Sequence, residues 1–377
     1  MKIYDYIILG AGASGLMLAY RMASDAFFDD KSILIIDKEK DKGNDRTWCY
    51  WEKKKDEWET ILHKTWNTIF FGGETFQDTI DISPYTYKMI RSEAFYKSLW
   101  ETINTNPNIE FVQAEVEDFK DANKVKVVTS KGVFQSKKLF NSIPNSSFLD
   151  QEKYPVLQQH FVGWFVKIKT DAFDASVATF MDFTIPQKGN TRFMYVLPTD
   201  KQTALFEYTL FSKDLLEFSE YENAIKSYLE EKNIKDYEIV ETEKGSIPMT
   251  SYKFSKLNTK NVLNIGTAGG WTKASTGYTF KNTTKKTKVL VSFLKSQNDL
   301  SKFSRHTKFW FYDLLFLDVL ANENEKGAAL FTSLFKKAKT ETILKFLDEE
   351  TSLLEDLKII TSVPSMQFIK ALTKRMF

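Results

Sequence analysis

The chain has 377 residues, enough for two domains or one large composite unit with an ample core. Its 52 Lys and Arg against 50 Asp and Glu leave a net charge of +2, which excludes the broad basic field of a nucleic-acid-binding protein. Cys49 is the only cysteine and His63, His160 and His306 lie far apart, so no disulfide, metal site or Cys/His nucleophile pair is expected.

Asp5–Leu9 is a short apolar strand that runs into Gly10-Ala11-Gly12-Ala13-Ser14-Gly15, and an amphipathic helix follows through Tyr20. This is the dinucleotide fingerprint in its strand, turn and helix context. Gly10 permits the turn, Gly12 admits a pyrophosphate to the backbone, and Gly15 lets the helix lie close to the sheet. The helix start then offers unpaired N–H groups to phosphate. A second strand, Ile33–Ile36, ends at Asp37, placed to hold a ribose hydroxyl pair. The position of the motif, ahead of a long remainder, favours FAD over NAD. Because a strand opens the chain, no signal peptide is expected, and no apolar run reaches the roughly 18–20 residues that span a bilayer. A cytosolic protein is expected.

After a charged loop comes Arg46–Trp51. Ser92 reads as the N-cap of a helix with Phe95, Leu99 and Ile103 on one face. Strands are expected over 109–116, 124–129 and 133–140, the last two as a hairpin. From His160 the texture changes to alternating strands over 161–168, 177–183, 192–197 and 203–211. An antiparallel run after a βαβ opening predicts an inserted substrate domain. A helix over 215–232 follows, then a parallel-type strand at 261–265, a second glycine cluster Gly266–Gly270, and a mostly helical stretch over 272–297. The rest, 303–377, reads as helical.

On the strand over 203–211, alternation puts Leu205, Glu207, Thr209 and Phe211 on one face and Ala204, Phe206, Tyr208 and Leu210 on the other. An acid between Leu205 and Phe211 is expected to be desolvated and to hold its proton more tightly than usual. The 32 Phe, 16 Tyr and 8 Trp fill cores, and they also suit an apolar tunnel for a greasy substrate.

Four blocks carry a resemblance: Asn44–Trp51, Ile90–Tyr96, Arg192–Pro198 and Gly266–Phe280. With the fingerprint, they make the chain similar to the FAD-dependent lycopene cyclase family, in the form of the bacterial β-cyclases. The resemblance implies an α/β fold: a Rossmann-like FAD-binding domain with an inserted antiparallel-sheet substrate domain, like p-hydroxybenzoate hydroxylase, and a helical C-terminal region. The expected division is 1–150 for the first part of the FAD-binding domain, with 50–90 contributing to the substrate pocket. Residues 151–255 would form the substrate domain, 256–300 the return to the FAD-binding domain, and 301–377 the helical region.

The implied activity is redox-neutral cyclisation of the acyclic ends of lycopene to β-rings, giving β-carotene. It uses reduced FAD with NAD(P)H as reductant, needs no metal, and takes place at the inner face of the cell membrane. Gly10, Gly12, Ala13, Gly15, Asp37, Lys38, Arg46, Arg91, Gly266, Ala268, Gly269, Thr276 and Gly277 are the expected cofactor residues. Glu207 is the expected catalytic acid, from the family's motif of two acids and a Thr, here Glu207-Tyr208-Thr209; Tyr208 departs from it. Thr267 stands where related hydroxylases carry an Asp at the ribityl chain. Asp348-Glu349-Glu350-Thr351 mimics the acidic motif of the plant enzymes and reads instead as a solvated charge cluster at a helix end. Candidate membrane contacts are the apolar run 309–317 and the basic amphipathic end 364–377. The rival readings are a flavin-dependent reductase or hydroxylase of a polyprenyl lipid, and a non-catalytic pigment carrier.

Overall fold

A computed structural model of the chain describes residues 2–304 and 306–376. The apolar Ile3–Leu9 strand lies at the centre of a parallel sheet, between Ile33–Asp37 and Gly132–Asn141. Ile109–Gln113 extends it on one side, and Val262–Asn264 returns late in the chain to pair in parallel with Gly132–Asn141. The antiparallel strands Val125–Thr129 and Val116–Asp121 complete the sheet. Both faces are covered, so Ile7–Leu9 and Ile33–Ile36 are fully buried, as a parallel strand requires. The helices Ala13–Ala23, Ser92–Ile103 and Phe280–Leu294 supply Leu16, Leu99 and Leu290 to one side of this core.

The second sheet has seven strands in the order Tyr237–Met249, Leu157–Ile168, Thr203–Ser212, Thr191–Pro198, Val177–Asp182, Thr68–Gly72 and Gln77–Asp81. Residues 68–81 thus leave the first unit and add the outer strands of the second. A third sheet, Thr47–Glu52, Thr86–Arg91 and Leu62–Trp66, lies between them in sequence. Alternation on Thr203–Ser212 is as expected. Leu205 and Phe211 belong to one core, while Ala204, Phe206, Tyr208 and Leu210 belong to another beneath the Phe218–Glu231 helix. The fold is α/β, a Rossmann-like unit interrupted by an antiparallel-sheet unit, with a helical C-terminal region.

Several local expectations are corrected. Arg91, not Ser92, holds the N-cap position; the Ser92 hydroxyl instead donates to the Gly43 carbonyl at 3.0 Å and accepts from the Arg46 amide at 3.0 Å, tying the loop to the helix start. The strand expected over 109–116 is two, Ile109–Gln113 and Val116–Asp121, turning at Ala114-Glu115. Residues 272–279 are not helical, because backbone bonds from Lys273 to Tyr278 and from Gly277 to Lys273 close a compact loop, and the helix starts only at Phe280.

Among the described residues the tail forms five α-helices: Lys308–Asn322, Gly327–Lys337, Thr340–Leu347, Leu353–Ser362 and Ser365–Met376. The run 309–317 is core, with Phe309, Leu314 and Leu317 buried. Leu353 and Leu354, by contrast, are 72% and 76% exposed, and Leu357, Met366, Ile369 and Met376 are exposed with them. In the basic end, Lys370 and Lys374 are exposed, whereas Arg375 grips Asp318 through two hydrogen bonds of 2.7 and 2.6 Å. Phe377 lies outside the described residues. Among those described, no helix is long and apolar enough to cross a membrane.

Candidate active site

Between the parallel sheet and the second sheet lies a cavity of about 760 Å³, within the roughly 300–1,000 Å³ of cofactor and small-molecule sites. Its first wall is the fingerprint. Gly10 sits at φ +91°, a conformation other residues resist, and turns the chain off the first strand. A Cβ on Gly12 would meet nothing within 4 Å, so open space lies over the backbone where a phosphate would approach. A Cβ on Gly15 would fall 1.9 Å from the Gly10 carbonyl oxygen; only glycine lets the helix pass that close. The Ala13–Ala23 helix has no side-chain cap, leaving its first N–H groups free for an anion.

Asp37 lines the cavity and accepts from the Ala11 amide at 2.5 Å, the Glu39 amide at 2.9 Å and Lys42 Nζ at 3.0 Å. A ribose diol would have to share Asp37 with Lys42, a residue the sequence did not single out. Lys38, Arg46, Ala13, Gly266, Thr276 and Gly277 also line the cavity. Ala268 and Gly269 do not; Gly269 packs behind it, where a Cβ would fall 2.1 Å from the Asn264 carbonyl oxygen. Arg91, expected at the cofactor, is likewise not on the wall. Its guanidinium lies 4.1 Å from the Phe165 ring centroid, pairs with Glu241 and donates to the Thr47 hydroxyl at 2.9 Å.

The cavity wall also holds buried polar atoms that the protein leaves without partners. Gln159 Oε1, Thr276 Oγ1 and Thr283 Oγ1 have no hydrogen bond and all three residues line the cavity. Unpaired buried polar atoms are costly, and a ligand that satisfies them recovers that cost. Thr267 also lines the wall, its hydroxyl 3.3 Å from that of Thr272.

The other end is aromatic and acidic. Trp48, Tyr87, Phe161, Tyr195, Tyr278 and Phe280 line it, with the Tyr195 and Tyr278 hydroxyls 3.5 Å apart. Glu207 stands among them. It lies deep in the fold, yet keeps some accessible surface because it lines the cavity. Desolvation, and then the neighbouring Glu243 carboxyl, push its pKa up to about 8, although the Thr209 hydroxyl donates to it at 2.7 Å. Cys49, Tyr195 and Tyr278 are all pushed above their usual ranges by burial. Glu207 is therefore the group on this wall raised to near neutral pH, and burial raises the adjoining Glu243 carboxyl as well. Tyr208 points to the opposite face, where its hydroxyl accepts from Arg192 at 3.0 Å.

The Asp348–Thr351 segment is only in part the solvated cluster expected: Glu350 is exposed, but the segment is tied into the protein by ion pairs. Asp348 is buried and paired with Lys281 at 2.6 Å, Glu349 lies 3.5 Å from the buried Lys273, and Glu350 is 2.6 Å from Lys285. Lys273 is also held by Asp313 at 3.0 Å. These pairs clamp the 272–279 loop and the helix behind it to the tail, which fixes Thr276, Gly277 and Tyr278 on the cavity wall.

Comparison with known proteins agrees with this geometry. The family model described as "Lycopene cyclase protein" matches residues 5–373. The chain belongs to the lycopene cyclase family. No curated protein sequence matches it significantly. Among solved structures, a geranylgeranyl bacteriochlorophyll reductase-like protein from Thermoplasma acidophilum superposes with a TM-score of 0.61 at 13% identity, covering 99% of each chain. A flavoprotein/dehydrogenase from Cytophaga hutchinsonii gives 0.62 at 12% identity, over 100% of this chain and 99% of that one. A tryptophan halogenase from Shewanella frigidimarina gives 0.61 at 11%, over 99% and 94%. At these identities the likeness establishes the fold, one that flavin enzymes also adopt. Among the described residues no group of His, Cys, Asp and Glu could hold a metal ion.

Proposed function

We propose that this member of the lycopene cyclase family is an isomerase, an intramolecular lyase that closes the acyclic ends of lycopene or a related linear carotene to β-rings. The observation that carries the reading is Glu207: an acid that holds its proton at neutral pH, in an aromatic-lined cavity continuous with a dinucleotide fingerprint. Gly10, Gly12, Ala13, Asp37, Lys38, Arg46, Gly266, Thr276 and Gly277 would hold FAD along the opposite wall. Bound and reduced by NAD(P)H, FAD would supply negative charge to the site without net electron transfer.

Glu207 holds the proton that is delivered to C2 of the terminal isoprene unit. The C1 cation is attacked by the C5–C6 double bond, closing the ring, and a proton then leaves C6, so atoms and electrons balance. Tyr195, Tyr278, Trp48 and Phe280 exclude water, which would trap the cation as an alcohol, and offer ring faces that stabilise positive charge. Ionised Glu207 left behind stabilises the cation in the same low-dielectric site.

A substrate dissolved in lipid suits a protein that docks on the membrane from the cytoplasmic side. The exposed Leu353, Leu354, Leu357, Met366, Ile369 and Met376 on the last two helices make the candidate surface, and the exposed Lys358, Lys370 and Lys374 beside them match an anionic lipid headgroup layer. The test of the whole reading is expression in a lycopene-accumulating bacterium. Ring-containing carotenes of unchanged mass are expected; a product heavier by hydrogen or oxygen would replace cyclisation with the reductase or hydroxylase reading.

A further inference from the structure

The family's acidic motif calls for a second acid beside Glu207, yet position 208 is a tyrosine and faces away from the cavity. The second carboxylate arrives from another strand. On the central Leu157–Ile168 strand, Gly163 is registered opposite Glu207 on one side and opposite Glu243, from Tyr237–Met249, on the other. Two residues separated by a whole strand ordinarily cannot touch, because the side chain between them fills the gap. Here the intervening residue is Gly163, which has no side chain, and its neighbours close in over it. A Cβ built on Gly163 would lie 2.9 Å from Leu205 Cδ1, 3.1 Å from Glu243 Cγ and 3.5 Å from Glu207 Cβ. Both acids line the same cavity.

We propose that Glu243 is a positioning residue of this site: it meets Glu207 across the gap at Gly163 and shares one proton with it, so the pair holds the acid. The surrounding hydrogen bonds set which member carries the proton. Arg91 donates to Thr47, and the Thr47 hydroxyl donates to Glu243 at 2.7 Å, with the guanidinium 4.0 Å from the same carboxylate. These contacts favour the ionised form and oppose the burial that raises the Glu243 carboxyl. Glu207 receives only the Thr209 hydroxyl and faces no cation, so it keeps the proton and donates it to Glu243. Two carboxylates in one dry site cannot both ionise cheaply, which is how such pairs retain a proton near neutral pH. Of the other charged or titratable groups here, Arg91 and Glu241 neutralise one another, and Cys49, Tyr195 and Tyr278 stay uncharged. After the proton passes to C2, both carboxylates face the cation; the proton lost from C6 refills the pair.

The part played in proton delivery rests on the cyclase reading, whereas the shared proton does not, and the test separates them. Infrared difference titration of the purified protein should show a protonated carboxyl band that persists above pH 7, beyond the range of Asp348, raised to about 6, and that is told apart from Asp313, also raised by burial, by its response to substitution of Glu207 and Glu243. Glu207→Gln should remove the band. Glu243→Gln should leave the fold and move both the band and the alkaline limb of the activity profile to lower pH by about one unit or more. Gly163→Ala, which wedges the pair, should move them the same way. Absence of the band from the wild type, or its survival at the same pH in Glu243→Gln, would overturn the proposal. A band that shifts as expected in a protein that forms no rings would leave the shared proton standing and remove the cyclase reading.

Discussion

Replacing Glu207 by Gln preserves shape and removes one ionisable group, and the structure sets the size of the loss. A carboxyl at the ordinary value of 4.5 is protonated in about 0.3% of molecules at pH 7, while one raised to about 8 is protonated in about 90%. The site therefore increases the population of acid by about 300-fold. A general acid is worth about 10²–10⁴-fold, or roughly 3–5 kcal/mol of barrier. Glu243 is a weaker substitute, because the Thr47 hydroxyl and the Arg91 guanidinium favour its ionised form against the burial that raises it. The variant should keep its thermal stability and bound flavin while ring formation, measured by chromatographic separation of carotenes, falls at least about 100-fold. The sign of the pH effect follows from the raised value: the acid is present below about pH 8 and is lost as pH rises through it. Wild-type activity should therefore fall on the alkaline side. Turnover of Glu207→Gln within about threefold of wild type, with an unchanged alkaline limb, would refute the reasoning.

Three further outcomes follow. Gly12→Val should fold, since nothing lies within 4 Å of the new Cβ, but should lose FAD by occupying the phosphate space; normal flavin absorbance after purification would count against the assigned wall. Asp348→Ala should destabilise the protein by about 1–3 kcal/mol in denaturant titration, because it strips the buried partner from Lys281, whereas Glu349→Gln should cost less than about 1 kcal/mol. Equal, negligible effects would mean the tail clamp contributes nothing. Replacing Leu353, Leu354 and Leu357 together by Ser should weaken sedimentation with anionic liposomes by about tenfold or more at unchanged Tm, and undiminished binding would remove this face as the docking surface.

What could be read from the sequence was local. Strand, glycines and helix at 5–20 are contiguous, so the fingerprint carried its own confirmation. The period of two around Glu207 correctly put it on the face with Leu205 and Phe211. Glu243 was invisible for the opposite reason: it sits in an acid-rich stretch, Glu241-Thr242-Glu243, on the strand Tyr237–Met249, for which no element was expected. Only the register through Gly163, eighty residues earlier, turns it inward. Arg91 failed similarly, since its partners Glu241 and Thr47 come from two other strands. The acidic tail segment looked solvated because its lysines, Lys273, Lys281 and Lys285, lie more than sixty residues away in the chain. Residues 68–81 belong to the second sheet through a parallel pairing with Val177–Asp182, and no local period reports such a partner. A glycine inside a strand of otherwise large residues is the one sequence signal that pointed to a close approach there.

The central claim is a ring closure without net redox change, and one assay addresses it directly. Purified protein loaded with FAD, reduced with NAD(P)H or dithionite in the absence of oxygen, would be given lycopene in liposomes, with rings formed and reductant consumed followed together. The account predicts many rings per reductant and a product of unchanged mass; one reductant consumed for each lycopene end altered would contradict it.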